Sequence, residues 1–150
     1  MASDKYNEGM KLRRQVLGDV YVDRSLNAAT EFSSAAQTMI TEMCWGTTWV
    51  NDAISLKTRS LVTLGMLTAM RADQELKGHV RGALRNGCTV DEIQAVLLHA
   101  TAYCGAPAGL EAFRAANETI QEWLKDAGTA ADKGYKVIIG GAGGAARLGS

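Results

Sequence analysis

Proline occurs once in the 150-residue sequence, at Pro107, and no segment keeps up the apolar–polar alternation of a half-buried strand for long. Together these constrain the fold more than any other feature. Strands that bury one face alternate at period 2. Helices exclude proline from their interiors and repeat apolar residues every three or four positions. The sequence therefore predicts an all-α architecture, six helices with short joins.

Residues 4–17, "DKYNEGMKLRRQVL", repeat apolar side chains at Tyr6, Met10, Leu12 or Arg13, and Leu17, with Gly18 as a stop. A second helix is expected from about Phe32 to Cys44, ending near Gly46. "TTWVNDAIS" reads as a loop, and Ser55 or Asp52 can cap the helix after it. From Leu61 to Met70 that helix is apolar on nearly all sides, as a buried central helix is, although Lys57 and Arg59 occupy its first turn. The next helix follows Asp73 and closes at Asn86-Gly87. Thr89 to Glu92 forms a capping box for a helix with Ile93, Val96, Leu97, Ala100 and Cys104 on one face. Gly105-Ala106-Pro107 breaks the chain. A last helix runs from Pro107 to about Leu124 and turns Leu110, Phe113, Ala116 or Asn117, Ile120, and Trp123 or Leu124 inward.

These helices fit one domain over residues 1–125. Residues 126–150 are too rich in glycine for a packed helix and read as a flexible tail, within which "YKVII" is a possible strand or apolar tag. Sixteen basic residues balance sixteen acidic ones, so no net field draws the chain to nucleic acid or an anionic membrane. No apolar run approaches the roughly 20 residues of a membrane helix, and the polar N-terminus lacks a signal-peptide core. Three cysteines are an odd, scattered set, unlike a secreted disulfide framework. A cytoplasmic protein with reduced, mostly buried thiols is expected. Two histidines without a ligand-spaced cluster argue against a metal site.

The stretch "RADQELKGHVRGALRNGCT" carries the chemistry of interest. On a helical wheel Leu76, Val80, Ala83 and Leu84 make a core stripe, and Lys77, Arg81 and Arg85 a solvated basic one. Glu75 and His79 lie one turn apart at the edge of the apolar stripe, flanked by Gly78 and Gly82. Glycine within a helix costs about 1 kcal/mol against alanine, and marks a place where another helix or a ligand approaches. The pair is either a surface i,i+4 contact or an acid and base against which a substrate lies. His99 reads as a hydrogen-bonded core or interface histidine. Trp45 and Trp49 straddle a glycine in a loop and are core packing, a pocket wall or a subunit contact. Arg59, opening a buried helix, needs an anionic partner: Glu42, Glu75 or a substrate carboxylate.

"YNEGMKLRRQVLGDVYVDRSL", "MITEMCWGTTW", "KTRSLVTLGMLTAM" and "QELKGHVRGALRNGCTVDEIQAVLLHATAYCGAP" together resemble the carboxymuconolactone decarboxylase family, over roughly residues 5–125. The most telling part is G-x-T-x-x-E-I at Gly87 to Ile93 followed by Y-C-G-x-P. The wider superfamily includes alkylhydroperoxidase-like redox enzymes with C-x-x-C-x-x-x-H on the same helix. Counted back from His79, the cysteine slots fall on Ala72 and Glu75, so the thiol pair is absent. A glutamate that those members carry a helix earlier falls near Ser60.

The resemblance implies an alkylhydroperoxidase-like helical protomer in a homo-oligomer, a hexamer or trimer, with sites near subunit boundaries. It implies decarboxylation of a small lactone dicarboxylate, 4-carboxymuconolactone, to 3-oxoadipate enol-lactone in protocatechuate breakdown by the β-ketoadipate pathway. No cofactor is implied, because the conjugated lactone is its own electron sink. On this reading His79 donates the proton, or a hydrogen bond to the developing oxyanion, and Glu75 tunes it. Arg59 and Arg81 hold the acetate arm, Trp45 and Trp49 are apolar walls, and Cys104-Gly105 open a backbone N–H cradle. The rivals are a thiol-dependent peroxidase, a decarboxylase for another lactone or β-keto acid, and a non-catalytic oligomeric scaffold.

Overall fold

The computed structural model describes residues 1–132, which are helical with no strand among them. The all-α expectation holds. The elements are α1 (Asp4–Leu17), α2 (Asp19–Ala28), α3 (Ser34–Ile40) continuing into a π-helical segment (Thr41–Trp49), α4 (Leu56–Met70), α5 (Asp73–Arg85), α6 (Val90–Cys104) and α7 (Ala106–Asp132). The expected six helices become seven α-helices among the described residues. The addition is α2, which buries Val22 and packs Tyr21 and Leu26 against the same core. No described helix is long and apolar enough to cross a membrane. The chain divides into two compact units, Met1–Arg59 and Ser60–Ser150.

In the first unit, Ser3 caps α1 by accepting the Tyr6 N–H at 3.1 Å and donates its own hydroxyl to Glu42 at 2.5 Å. Gly18, at φ 86°, ends α1 and opens α2 in a conformation that L side chains rarely adopt. The crossing of α1 with the π-helical segment is set by two glycines. A Cβ on Gly9 would lie 2.3 Å from the Thr41 carbonyl oxygen, and one on Gly46 would lie 2.1 Å from that of Lys5. Buried Arg13 donates to Gln37 Oε1 at 2.9 Å and Thr41 Oγ1 at 3.2 Å, and burial lowers its pKa. Beneath it Val16, Leu17, Val22, Trp45 and Trp49 form the core.

Trp45 and Trp49 do not sit in a loop. Helical winding continues through Trp49 with the wider π turn, and the side-chain hydroxyls of Thr47 and Thr48 donate to carbonyls five residues back, those of Glu42 and Met43. A period-3.6 reading misses such a segment.

In the second unit, Leu64, Leu76, Val80, Ala83, Ile93 and Leu97 pack with Ala112, Ala115 and Ala116. Each large aliphatic side chain buried here contributes about 1.5–3 kcal/mol. The alanines of α7 admit close neighbours, and Gly109 does so most: a Cβ there would lie 2.0 Å from Thr101 Oγ1. Gly87, at φ 89°, closes α5 as expected, and the Thr89–Glu92 capping box forms in both directions.

Two expectations change in this unit. α4 is not buried all round: it buries Ser60, Leu64 and Thr68 and leaves Val62, Met66 and Met70 exposed. Leu110 and Cys104, expected on inward faces, are also exposed. The last helix runs on through Asp132, so residues 126–132 of the expected tail are helical. "YKVII" and the remainder lie outside the described residues.

Candidate functional site

Helix α5 places the acid and the imidazole. Asp73 and Glu75 occupy its first turn and Arg85 its last, each sign matching the helix dipole. Leu76, Val80 and Ala83 are buried with Gly78 and Gly82, so the glycines face the interior and leave the helix thin there. Those two positions cost the helix about 1 kcal/mol each against alanine.

His79 is half-buried, and burial pushes its pKa down to about 4. At neutral pH the ring is therefore a neutral imidazole with one N–H donor. Glu75, one turn earlier, is exposed. An adjacent carboxylate would raise the imidazole pKa, so desolvation outweighs whatever Glu75 contributes. A neutral, partly dry imidazole donates a hydrogen bond to developing negative charge and is a poor source of a full proton.

The basic stripe of α5 is not merely solvated. Lys77 pairs with Glu118 at 2.9 Å, Arg81 with Glu122, and the Arg85 guanidinium lies 5.6 Å from the centroid of Trp123. Arg81, an expected carboxylate anchor, is thus engaged by α7. Arg59 donates from Nη2 to the Asn51 carbonyl at 2.7 Å, and Glu42 takes the Ser3 hydroxyl. The guanidinium braces the turn after the π-helical segment.

Trp45 and Trp49 are 3% and 7% exposed and stack with ring centroids 4.6 Å apart, which is core packing. Trp49 also borders a cavity of about 420 Å³ in the first unit, with Leu12, Ile54, Lys11, Glu8 and Asp52. In the second unit a slot of about 160 Å³ lies between Ile93, Leu97, Phe113 and Ile120. Neither cavity is lined by Glu75 or His79.

The expected N–H cradle is reduced. Gly105, at φ 95°, caps α6 and spends its N–H on the Thr101 carbonyl at 2.9 Å, and Pro107 has none to offer. The open donors at the start of α7 are those of Ala106 and Ala108. Cys104 is exposed. So is His99, read as a core or interface histidine, which lies outside the core and stacks on Tyr103 at 5.1 Å. Among the described residues no group of three or more His, Cys, Asp or Glu side chains could hold a metal ion.

One contact was not read from the sequence, which gave Asn86 only a capping role. Its side-chain amide donates to Ser60 Oγ at 2.9 Å, and Ser60 is fully buried.

Residues 34–118 match the model of the carboxymuconolactone decarboxylase family. The chain is 44% identical over 119 residues to nitrosuccinic acid decarboxylase of Metarhizium robertsii, covering 79% of this chain and 83% of that one. It is 36% identical over 129 residues to 4-carboxymuconolactone decarboxylase of Acinetobacter baylyi, covering 86% and 93%. A 42-residue stretch is 45% identical to 4-carboxymuconolactone decarboxylase of Pseudomonas putida, covering 28% of this chain and 88% of that one.

Proposed function

Because the chain belongs to the carboxymuconolactone decarboxylase family, we propose that it is a cytoplasmic, cofactor-independent decarboxylase whose substrate is 4-carboxymuconolactone. The observation that carries this reading is the neutral, half-buried imidazole of His79 on a glycine-thinned helix face, in a chain whose relatives are named decarboxylases.

The chemistry asks little of a cofactor. Breaking the bond to the departing carboxylate sends its electron pair through the ring alkene onto the lactone carbonyl oxygen, giving a dienolate and CO2. Protonation of carbon next to that carbonyl gives the enol-lactone. A donor aimed at the oxygen where charge develops lowers the barrier most, and the His79 N–H supplies it. With the imidazole neutral, the proton delivered to carbon comes from another acid or from water. Glu75, negative and near the departing carboxylate, favours release of neutral CO2. Arg59 holds the acetate arm by a charge-assisted hydrogen bond; the engagement of Arg81 with Glu122 leaves it a lesser part.

A second reading is favoured by the higher identity to the nitrosuccinic acid decarboxylase. Nitrosuccinate and 4-carboxymuconolactone share a pattern: one carbon bears both a carboxylate and an acetate arm, next to a group that accepts the electron pair. In nitrosuccinate the nitro group takes it as a nitronate, and the same donor and anchor serve.

Freshly prepared carboxymuconolactone and nitrosuccinate, supplied separately at equal concentration, test the proposal. Ultraviolet loss of the lactone that disappears in His79→Ala supports the first reading, and CO2 release confined to nitrosuccinate supports the second. Turnover of neither, or full turnover by His79→Ala and Glu75→Gln with the fold intact, overturns the assignment. We propose also that the chain forms a homo-oligomer. The exposed stripe Val62, Met66 and Met70 on α4 supports self-association, which light scattering after size exclusion measures.

A further inference from the structure

The turns of α5 that carry His79 are intrinsically weak, because Gly78 and Gly82 bracket it. A catalytic group on a weak turn needs its helix fixed from outside, since misplacement by about 1 Å can cost on the order of a hundredfold in rate. Beyond Gly82 the Arg85 guanidinium lies over Trp123 of α7, and a hydrogen bond ties the same end of α5 to α4. Asn86 is the C-cap of α5, its backbone N–H bonded to the Gly82 carbonyl at 2.9 Å. Its side-chain amide crosses to α4 and donates to Ser60 Oγ at 2.9 Å.

Ser60 differs from the other buried hydroxyls of this unit. Thr68 and Thr119 donate back to their own helices, to the carbonyls of Leu64 and Ala115, which satisfies the group and ties nothing together. Ser60, fully buried, instead accepts from a different helix. His79 and Asn86 are seven residues apart, two turns, which puts them about 20° apart around α5 and about 10 Å apart along it. The clamp therefore acts on the stripe that carries the imidazole.

We propose that Ser60 and Asn86 are positioning residues for His79: their amide–hydroxyl clamp holds the glycine-softened end of α5 in register against α4, and so fixes the imidazole. The inference rests on the catalytic reading of His79 and adds two residues that touch no substrate. Without the clamp the turns around Gly82 loosen, water reaches the ring, and its N–H leaves the line of the developing oxyanion. Ground-state binding through Arg59 is untouched, so the loss falls on kcat and not on KM.

The test uses Ser60→Ala, which removes the acceptor at nearly constant shape, Asn86→Ala, which removes the donor at a half-buried cap, and Ser60→Thr, which keeps the hydroxyl. The His79 ring is followed by NMR titration, assigned with His79→Gln, alongside steady-state kinetics. Ser60→Ala and Asn86→Ala are expected to lower kcat about tenfold or more with KM within about twofold. Both should also move the ring midpoint from about 4 up toward 6.5, with Ser60→Thr near wild type in both respects. Folded Ser60→Ala and Asn86→Ala proteins with an unchanged ring titration overturn the clamp, whatever their kcat. If the wild type turns over neither substrate, the catalytic reading falls, and the ring midpoints alone decide whether the clamp fixes the imidazole.

Discussion

Burial of a neutral imidazole makes stability depend on pH in a calculable way. The His79 pKa falls from 6.5 in the unfolded chain to about 4 in the folded one. Between those values the unfolded chain binds the extra proton and the folded chain does not, so acid favours unfolding. Stability from this group is fully present above pH 6.5, falls as pH is lowered, and levels off below about 4. The full shift corresponds to about 3 kcal/mol at about 1.36 kcal/mol per unit. Most of it lies in an accessible range: the two protonation equilibria give a loss of about 2 kcal/mol between pH 7 and pH 5. That is a large share of the 5–15 kcal/mol typical of a domain. Carboxylates titrate in the same region, so the measurement is a difference. Urea unfolding of wild type and His79→Gln is compared at pH 7, 6 and 5. The wild-type curve should be steeper by about 2 kcal/mol, because glutamine binds no proton in the unfolded chain. Parallel curves for the two proteins would refute the desolvation argument, and with it the neutral-donor role of His79.

Other perturbations test other parts of the molecule. Gly46→Ala places a methyl 2.1 Å from the Lys5 carbonyl oxygen, so α1 must shift; a loss of about 2 kcal/mol or more in thermal unfolding is expected. Thr89→Ala removes the hydroxyl that accepts the Glu92 N–H at 3.0 Å, and should cost about 1 kcal/mol in the same assay without affecting turnover. Arg59→Ala should raise KM with a smaller change in kcat; the reverse pattern would assign the guanidinium to bracing the Asn51 turn and not to substrate.

What was legible in the sequence follows from what each signal encodes. The capping box at Thr89 and Glu92 and the left-handed close at Gly87 are local, and both form as read. The inner face of α5 was legible from spacing, since Leu76, Val80 and Ala83 are buried. Other features depend on neighbours the sequence does not name. Lys77, Arg81 and Arg85 have the spacing of a solvated stripe, and only the arrival of Glu118, Glu122 and Trp123 on α7 makes them a ladder. Helix α4 looked buried because it is apolar all round, yet Val62, Met66 and Met70 face outward. The two site residues share a helix and a spacing but not an environment: His79 is half-buried and Glu75 exposed, a difference no periodicity reveals.

The wide winding of residues 41–49 has an optical consequence. It brings two indoles into a stack at 4.6 Å, close enough for their strong transitions to couple and give a paired circular-dichroism band in the far ultraviolet. The remaining indole, Trp123, lies by the Arg85 guanidinium in the other unit and gives an uncoupled signal. Each half of the chain thus carries its own chromophore, and a denaturant titration read at both signatures would tell whether the halves melt together or in turn.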